Sequence, residues 1–151
     1  MTLQSSLDMP REVDCAFCDY LSGKRPFTVW DSDEVVAILV TREQRGAAHL
    51  LVMPVRHCES ILDLTHEESG ALMDGIRRAA QAIDWAEHRP GIAIWQNNGL
   101  PAHQSIPHLH FHVAGTLPGG GTDWGPVREL SISETEEIAG RLTVAERQRS
   151  S

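Results

Sequence analysis

Histidines 108, 110 and 112 alternate with Leu109, Phe111 and Val113 in the run Gln104-Ser105-Ile106-Pro107-His108-Leu109-His110-Phe111-His112-Val113. In an extended strand alternate residues share a face. The run therefore stacks three imidazoles on one side and sends its apolar residues to the other. A neutral imidazole can attack phosphorus while a protonated neighbour stabilises charge or donates to a leaving group. Three imidazoles also make most of a metal site. Packed side by side, they are expected to titrate as a coupled set. A second group of this kind is Cys15-Ala16-Phe17-Cys18, a CxxC pair that reads either as half a zinc site or as a redox pair. No pair of carboxylates stands out as a competing acid–base constellation.

These residues need elements to hold them. Val35 to Val40 is an unbroken apolar run with β-branched residues, read as a buried strand. Thr41 to Gly46 makes a polar turn, and His49 to Met53 is a second apolar run stopped by Pro54 and expected to pair antiparallel with the first. Thr65 with Glu68 fits a capping box. Behind it Leu72, Met73, Ile76, Ala79, Ala80, Ile83 and Ala86 recur at helical spacing until Arg89-Pro90-Gly91. Gly91 to Gln96 returns to strand character, Asn97-Asn98-Gly99 is a turn signal, and residues 100–107 form a loop leading back to the histidines. Thr116 to Pro126 is rich in Gly and Pro and is expected to be a mobile loop. Ser133 with Glu136 is a further capping box, opening a short helix through Val144, with the tail after Glu146 frayed. The order predicts an α+β fold, a mainly antiparallel sheet with one long packed helix.

The chain has 151 residues, enough for one domain with one core, and a formal net charge of −8. That charge disfavours polymeric nucleic acid and anionic membrane surfaces, but leaves room for a small nucleotide in a local cradle. No run approaches the roughly 20 apolar residues that cross a bilayer. The three cysteines and the absence of a signal-like N-terminus predict a cytoplasmic protein without disulfides.

His108 to Ala114 resembles the signature of the histidine triad (HIT) family, and the likeness extends upstream through Asn97, Gly99, Gln104 and Ser105. His49-Leu50-Leu51-Val52-Met53-Pro54-Val55-Arg56-His57, continued by Glu59 and Leu62-Asp63-Leu64, is similar to a second family block. The resemblance spans residues 15–115, leaving an N-terminal arm at 1–14 and an extension at 116–151. It implies a hydrolase or nucleotidyl transferase acting at the α-phosphate of nucleotide conjugates, such as phosphoramidates or dinucleoside polyphosphates. It further implies a homodimer with a continuous sheet.

By the same resemblance His110 is the nucleophile, His112 a donor beside the phosphate and leaving group, and His49 a supporting histidine. Gln104 would hold the phosphoryl oxygen, Ser105 would add a contact, and Asn97 would bind near the ribose. Some branches of the family bind zinc, which here implies Cys15, Cys18, His57 and His108 as ligands. Two positions depart from the pattern. Val40 stands where an acidic ribose contact is common, and His103 replaces a usual glycine, where it either contacts phosphate or is an ordinary loop residue. The rival readings are a metal-dependent hydrolase with the three histidines as ligands, and a nucleotide-binding module with a weakened site. Trp95 is expected in the core, Trp124 as a loop anchor or a cover over a base, Arg56 in solvent, and Cys58 as a small buried hydrophobe.

Overall fold

A computed structural model describes residues 5–11 and 14–150. Its elements run α1 (Ala16–Ser22), β1 (Val29–Ser32), β2 (Val36–Val40), β3 (Ala47–Pro54), α2 (His66–Glu87), β4 (Ile92–Gln96), β5 (Phe111–Gly115) and α3 (Ile132–Ser150). The strands form one 5-stranded sheet in the order β1-β2-β3-β5-β4, and every pairing in it is antiparallel. Alternation along the strands divides the core in two. Val36, Ile38, Val40, Leu50, Val52 and Val113 face Leu72, Ile76, Ile83 and Leu142 of the two long helices. Ala37, Leu39, Leu51 and Met53 face the other way, against Phe17 of α1. The face that carries the histidines is this second one, so α1 covers only part of it.

The capping box at Thr65 and Glu68 forms as expected. Arg56 strengthens it: the guanidinium donates twice to the Glu68 carboxylate, at 2.8 and 2.9 Å, and once to the Asp63 carbonyl. Those bonds, with the capping backbone N–H, hold the Glu68 carboxyl down at about 2. Arg56 is thus a latch on the start of α2 rather than a free surface charge.

Several elements differ from the sequence expectations. Met73 is 64 % exposed and lies off the buried stripe of α2. The last helix is capped two residues earlier, by Ser131 with Glu134, and continues to Ser150. A helix following any of several Ser and Glu residues has no unique sequence start. α1 and β1 are both unforeseen, being too short for periodicity to register. Part of the N-terminal arm touches the body, where the Asp8 carbonyl accepts from Leu100 N–H at 2.6 Å; residues 1–4, 12 and 13 lie outside the described residues. The Gly/Pro-rich segment is tied at two carbonyls, Asp123 and Gly125, which accept from Arg45 Nη1 at 3.1 and 2.8 Å.

Candidate active site

The strand that carries the histidines begins at Phe111, so His108 and His110 sit in its extended lead-in and only His112 lies within β5. The alternation still holds. Leu109 and Val113 are fully buried on the helix side, while the His110 and His112 rings meet edge-on at 4.9 Å on the other face.

His49 reaches this face from β3 through a bulge. The β3–β5 register shifts between Ala47 and His49, and Ala48 absorbs it with φ of 56°. The backbone then fixes the protons. Arg45 N–H donates to His49 Nδ1 at 3.1 Å, so the His49 proton is on Nε2, which donates to His112 Nδ1 at 3.0 Å. His112 must carry its own proton on Nε2. His110 Nδ1 donates to the His108 carbonyl at 2.8 Å, leaving its Nε2 with a lone pair. Two separate sets of hydrogen bonds therefore give neighbouring rings opposite equipment, an acceptor nitrogen on His110 and a donor nitrogen on His112.

Burial keeps these rings neutral. It lowers His49 from 6.5 to about 3, with Arg45 adding to the effect. It lowers His112 to about 2, helped by His110, His49 and Arg45. His110 is lowered as well, by burial, with its bond to the His108 carbonyl opposing.

His108 is turned elsewhere. Its Nε2 donates to the Pro54 carbonyl at 2.8 Å, so Nδ1 presents a lone pair to Cys15 Sγ at 3.3 Å and Cys18 Sγ at 3.6 Å. His57 Nδ1 lies 3.3 Å from Cys18 Sγ. All four ligand atoms are within 4.8 Å of one another. A zinc tetrahedron with bonds of about 2.0 to 2.3 Å has edges of roughly 3.3 to 3.8 Å, and the donor set of two sulfurs and two imidazoles is one that zinc accepts. Without a cation the Cys18 thiol resists ionisation: burial and the adjacent Cys15 push it up to about 12. A bound dication reverses that preference. Cys15 also caps α1, its Sγ accepting from Cys18 N–H at 3.3 Å. Cys58 stays apart as a buried hydrophobe, 2 % exposed.

Two cavities meet at Glu43, Ser105, His110 and His112. One, of about 260 Å³, has an aromatic wall of Phe17, Tyr20 and Phe27 and is also lined by Thr41. The other, of about 500 Å³, is lined by Trp95, Asn97, His103, Gln104 and Trp124 among others. Val40 contacts neither. It is wholly buried toward the helices, and the next residue, Thr41, takes the ligand-facing place. Val40 thus faces away from both cavities, and in a strand one residue is a change of face.

Gln104 also departs from expectation. Its Oε1 accepts from Gly99 N–H at 2.8 Å, and its Nε2 donates to the Glu59 and Ile106 carbonyls at 2.8 and 3.0 Å. The amide holds the loop instead of offering a free donor to phosphate. His103 occupies a left-handed turn position with φ of 70°, which suits the glycine usual there. Asn97, Ser105 and His103 all line the larger cavity.

Residues 23–118 match the HIT domain family. The chain belongs to the HIT family. Its members are nucleotide hydrolases and transferases. An uncharacterised HIT-like protein of Mycobacterium tuberculosis (strain CDC 1551) is 36 % identical over 135 residues, covering 86 % of this chain and 90 % of the relative. The adenosine 5′-monophosphoramidase of Schizosaccharomyces pombe is 25 % identical over 140 residues, covering 86 % and 99 %. The crystal structure of a zinc-bound histidine triad family protein from Mycobacterium smegmatis is similar at a TM-score of 0.77 and 26 % identity, covering 90 % of this HIT chain and 95 % of the other.

Sequence reasoning missed Trp95, Arg45, Phe17 and Thr41. The Trp95 indole lies parallel to His112, at 4.7 Å and 3°, and is not simply core. Trp124 is 71 % exposed, with its ring 5.3 Å from that of Trp95. Among the described residues, no helix is long and apolar enough to cross a membrane.

Proposed function

We propose that this HIT protein cleaves nucleotide conjugates at the α-phosphate, phosphoramidates first among them, through a nucleotidyl-His110 intermediate. The observation that carries the reading is the pairing of an acceptor Nε2 on His110 with a donor Nε2–H on His112 at the meeting of two cavities. The nucleoside would occupy the aromatic-walled cavity and the leaving group the larger one.

In the first step His110 Nε2 forms a bond to phosphorus as the P–N bond breaks, and the amine, protonated on nitrogen from solvent, departs. His110 then carries phosphorus on Nε2 and a proton on Nδ1. That cation is stabilised by donating to the His108 carbonyl. In the second step water adds to phosphorus, the P–Nε2 bond breaks, and the water proton passes to solvent. His112 stays neutral throughout and donates to a phosphoryl oxygen, a contact strengthened as charge gathers there. His49 holds it in the donating tautomer. Ser105, Asn97 and His103 would contact substrate, and Gln104 would act by shaping the loop that carries them.

Cys15, Cys18, His57 and His108 would hold a structural zinc ion, supplying a cross-link between α1, the turn after β3 and the lead-in to β5. Free thiols in such a set suit a reducing cytoplasm. The zinc-bound relative supports this assignment. The rival use of His108, His110 and His112 as three ligands of a catalytic metal loses support, because the His108 nitrogens face Pro54 and the thiols. A homodimer is proposed through β4, an edge strand that exposes Ile94 at 52 %.

The deciding experiment uses adenosine 5′-phosphoramidate. Wild type should turn it over and yield a nucleotidylated protein on quenching in alkaline denaturant, with the adduct on His110. His110→Ala should bind AMP yet release none from the substrate; wild-type rates from that variant would overturn the assignment.

A further inference from the structure

Trp95 lines the larger cavity and is given no step in the reaction just proposed, yet its ring lies directly against that of His112. In the β4–β5 register it is directly opposite His112. On the far side of the same row stands Leu51 of β3, 4 % exposed. Cross-strand neighbours of this kind are the closest side-chain pairs in a sheet. Here the pair is a parallel stack, with 4.7 Å between ring centroids and 3° between planes.

The other neighbours of His112 constrain less. His49 holds one nitrogen, and His110 meets the ring edge-on. A hydrogen bond at Nδ1 selects the tautomer but restrains the ring plane only loosely, because the torsion about Cβ–Cγ is broad and a modest turn moves Nδ1 little. A parallel indole removes that freedom, since tilting the imidazole breaks the stack or drives it into the indole. Trp95 is itself braced. Its ring lies 5.1 Å from that of His49 and 5.3 Å from that of Trp124, and the backbone on either side of Trp124 is tied to Arg45.

We infer that Trp95 is a positioning residue: its stacked indole fixes the plane of the His112 imidazole, and so the line along which Nε2–H meets the phosphoryl oxygen. This rests on the nucleotidyl-transfer reading above. It goes beyond it in assigning half of the donor's geometry to an aromatic face on the edge strand, where hydrogen bonding assigns only the tautomer.

The test compares full-length wild type, Trp95→Val and Trp95→Phe, using adenosine 5′-phosphoramidate as substrate and AMP as the binding probe. Valine keeps a strand-forming side chain and removes the stack; phenylalanine restores an aromatic face. Trp95→Val should lower kcat about tenfold, the rate equivalent of one aromatic pair, while AMP affinity moves by less than about twofold. Trp95→Phe should recover most of kcat. In proton NMR the His112 ring protons of wild type should lie upfield under the indole, and should return toward unstacked positions in Trp95→Val.

A Trp95→Val protein with wild-type kcat overturns the inference, whether or not its Tm falls, since a packing role alone moves stability and not the rate. If Trp95→Val does not fold, the wild-type spectrum and Trp95→Phe decide: unshifted His112 protons overturn the inference. Absence of a His110 adduct in wild type would instead overturn the underlying reading, so the two failures are separable.

Discussion

The two ends of the histidine run belong to different chemistries. His108 is fully buried, with one nitrogen on a backbone carbonyl and the other on a pair of thiols. Four residues on, His112 has one nitrogen on His49, a face on Trp95 and its donor nitrogen available at a cavity. Identical side chains at equal spacing thus divide by what the backbone and neighbouring strands place around them. His110 stands between, and the peptide carbonyl of His108 orients it. The ring of His108 faces the thiol cluster while its carbonyl orients the ring of His110.

The sharpest way to break this division is His110→Ala. It should lower kcat by at least about 10³-fold, an estimate from what positioned catalytic groups contribute, while the zinc content of purified protein stays at one per chain. Loss of zinc in that variant would merge the two regions. Cys15→Ser is the converse: metal content by mass spectrometry should fall, and Tm should drop by more than about 5 °C as the cross-link is lost. His49→Leu comes next, with kcat lowered about tenfold or more, because His112 loses the donor that sets its tautomer. Zinc content should not change.

Acid should act on the relay through burial. His49 and His112 are held neutral when folded, at about 3 and about 2, against 6.5 in an unfolded chain. Between those values the unfolded state binds more protons, so stability rises with pH there. The contribution is complete above 6.5 and is lost as pH falls from 6.5 toward about 3. The slope is at most about 1.4 kcal/mol per pH unit for each histidine. Denaturant melts from pH 7 to 4 should show it, and His49→Leu should flatten it; an unchanged slope would remove His49 as a source. The smallest effect is Thr65→Ala, which removes the cap of α2 and should cost about 1 kcal/mol without altering kcat or zinc content.

Much of this arrangement was legible before the fold was known. The β2–β3 pair, the capped helix α2 and the alternation of Leu109 and Val113 against the histidines follow from periodicity, which survives folding because burial enforces it. The cluster of Cys15, Cys18, His57 and His108 came from family resemblance, and the structure brings the four together. What could not be read is register across long connections. Trp95 and His112 are separated by a loop with no fixed turn geometry, so nothing in the sequence sets them opposite each other. Nor does sequence say that Gln104 closes its amide on its own loop.

The bulge at Ala48 has a further consequence. It leaves Ala48 in the helix-side core, 5 % exposed, and His49 on the ligand side. Insertion or deletion of one residue between Gly46 and Leu50 would exchange those places, sending an imidazole into an apolar layer and setting a methyl group against His112. The loop from Asn97 to Pro107 faces no such parity, since it enters no ladder. The chain is therefore intolerant of length change in a short stretch that carries only one of its functional side chains.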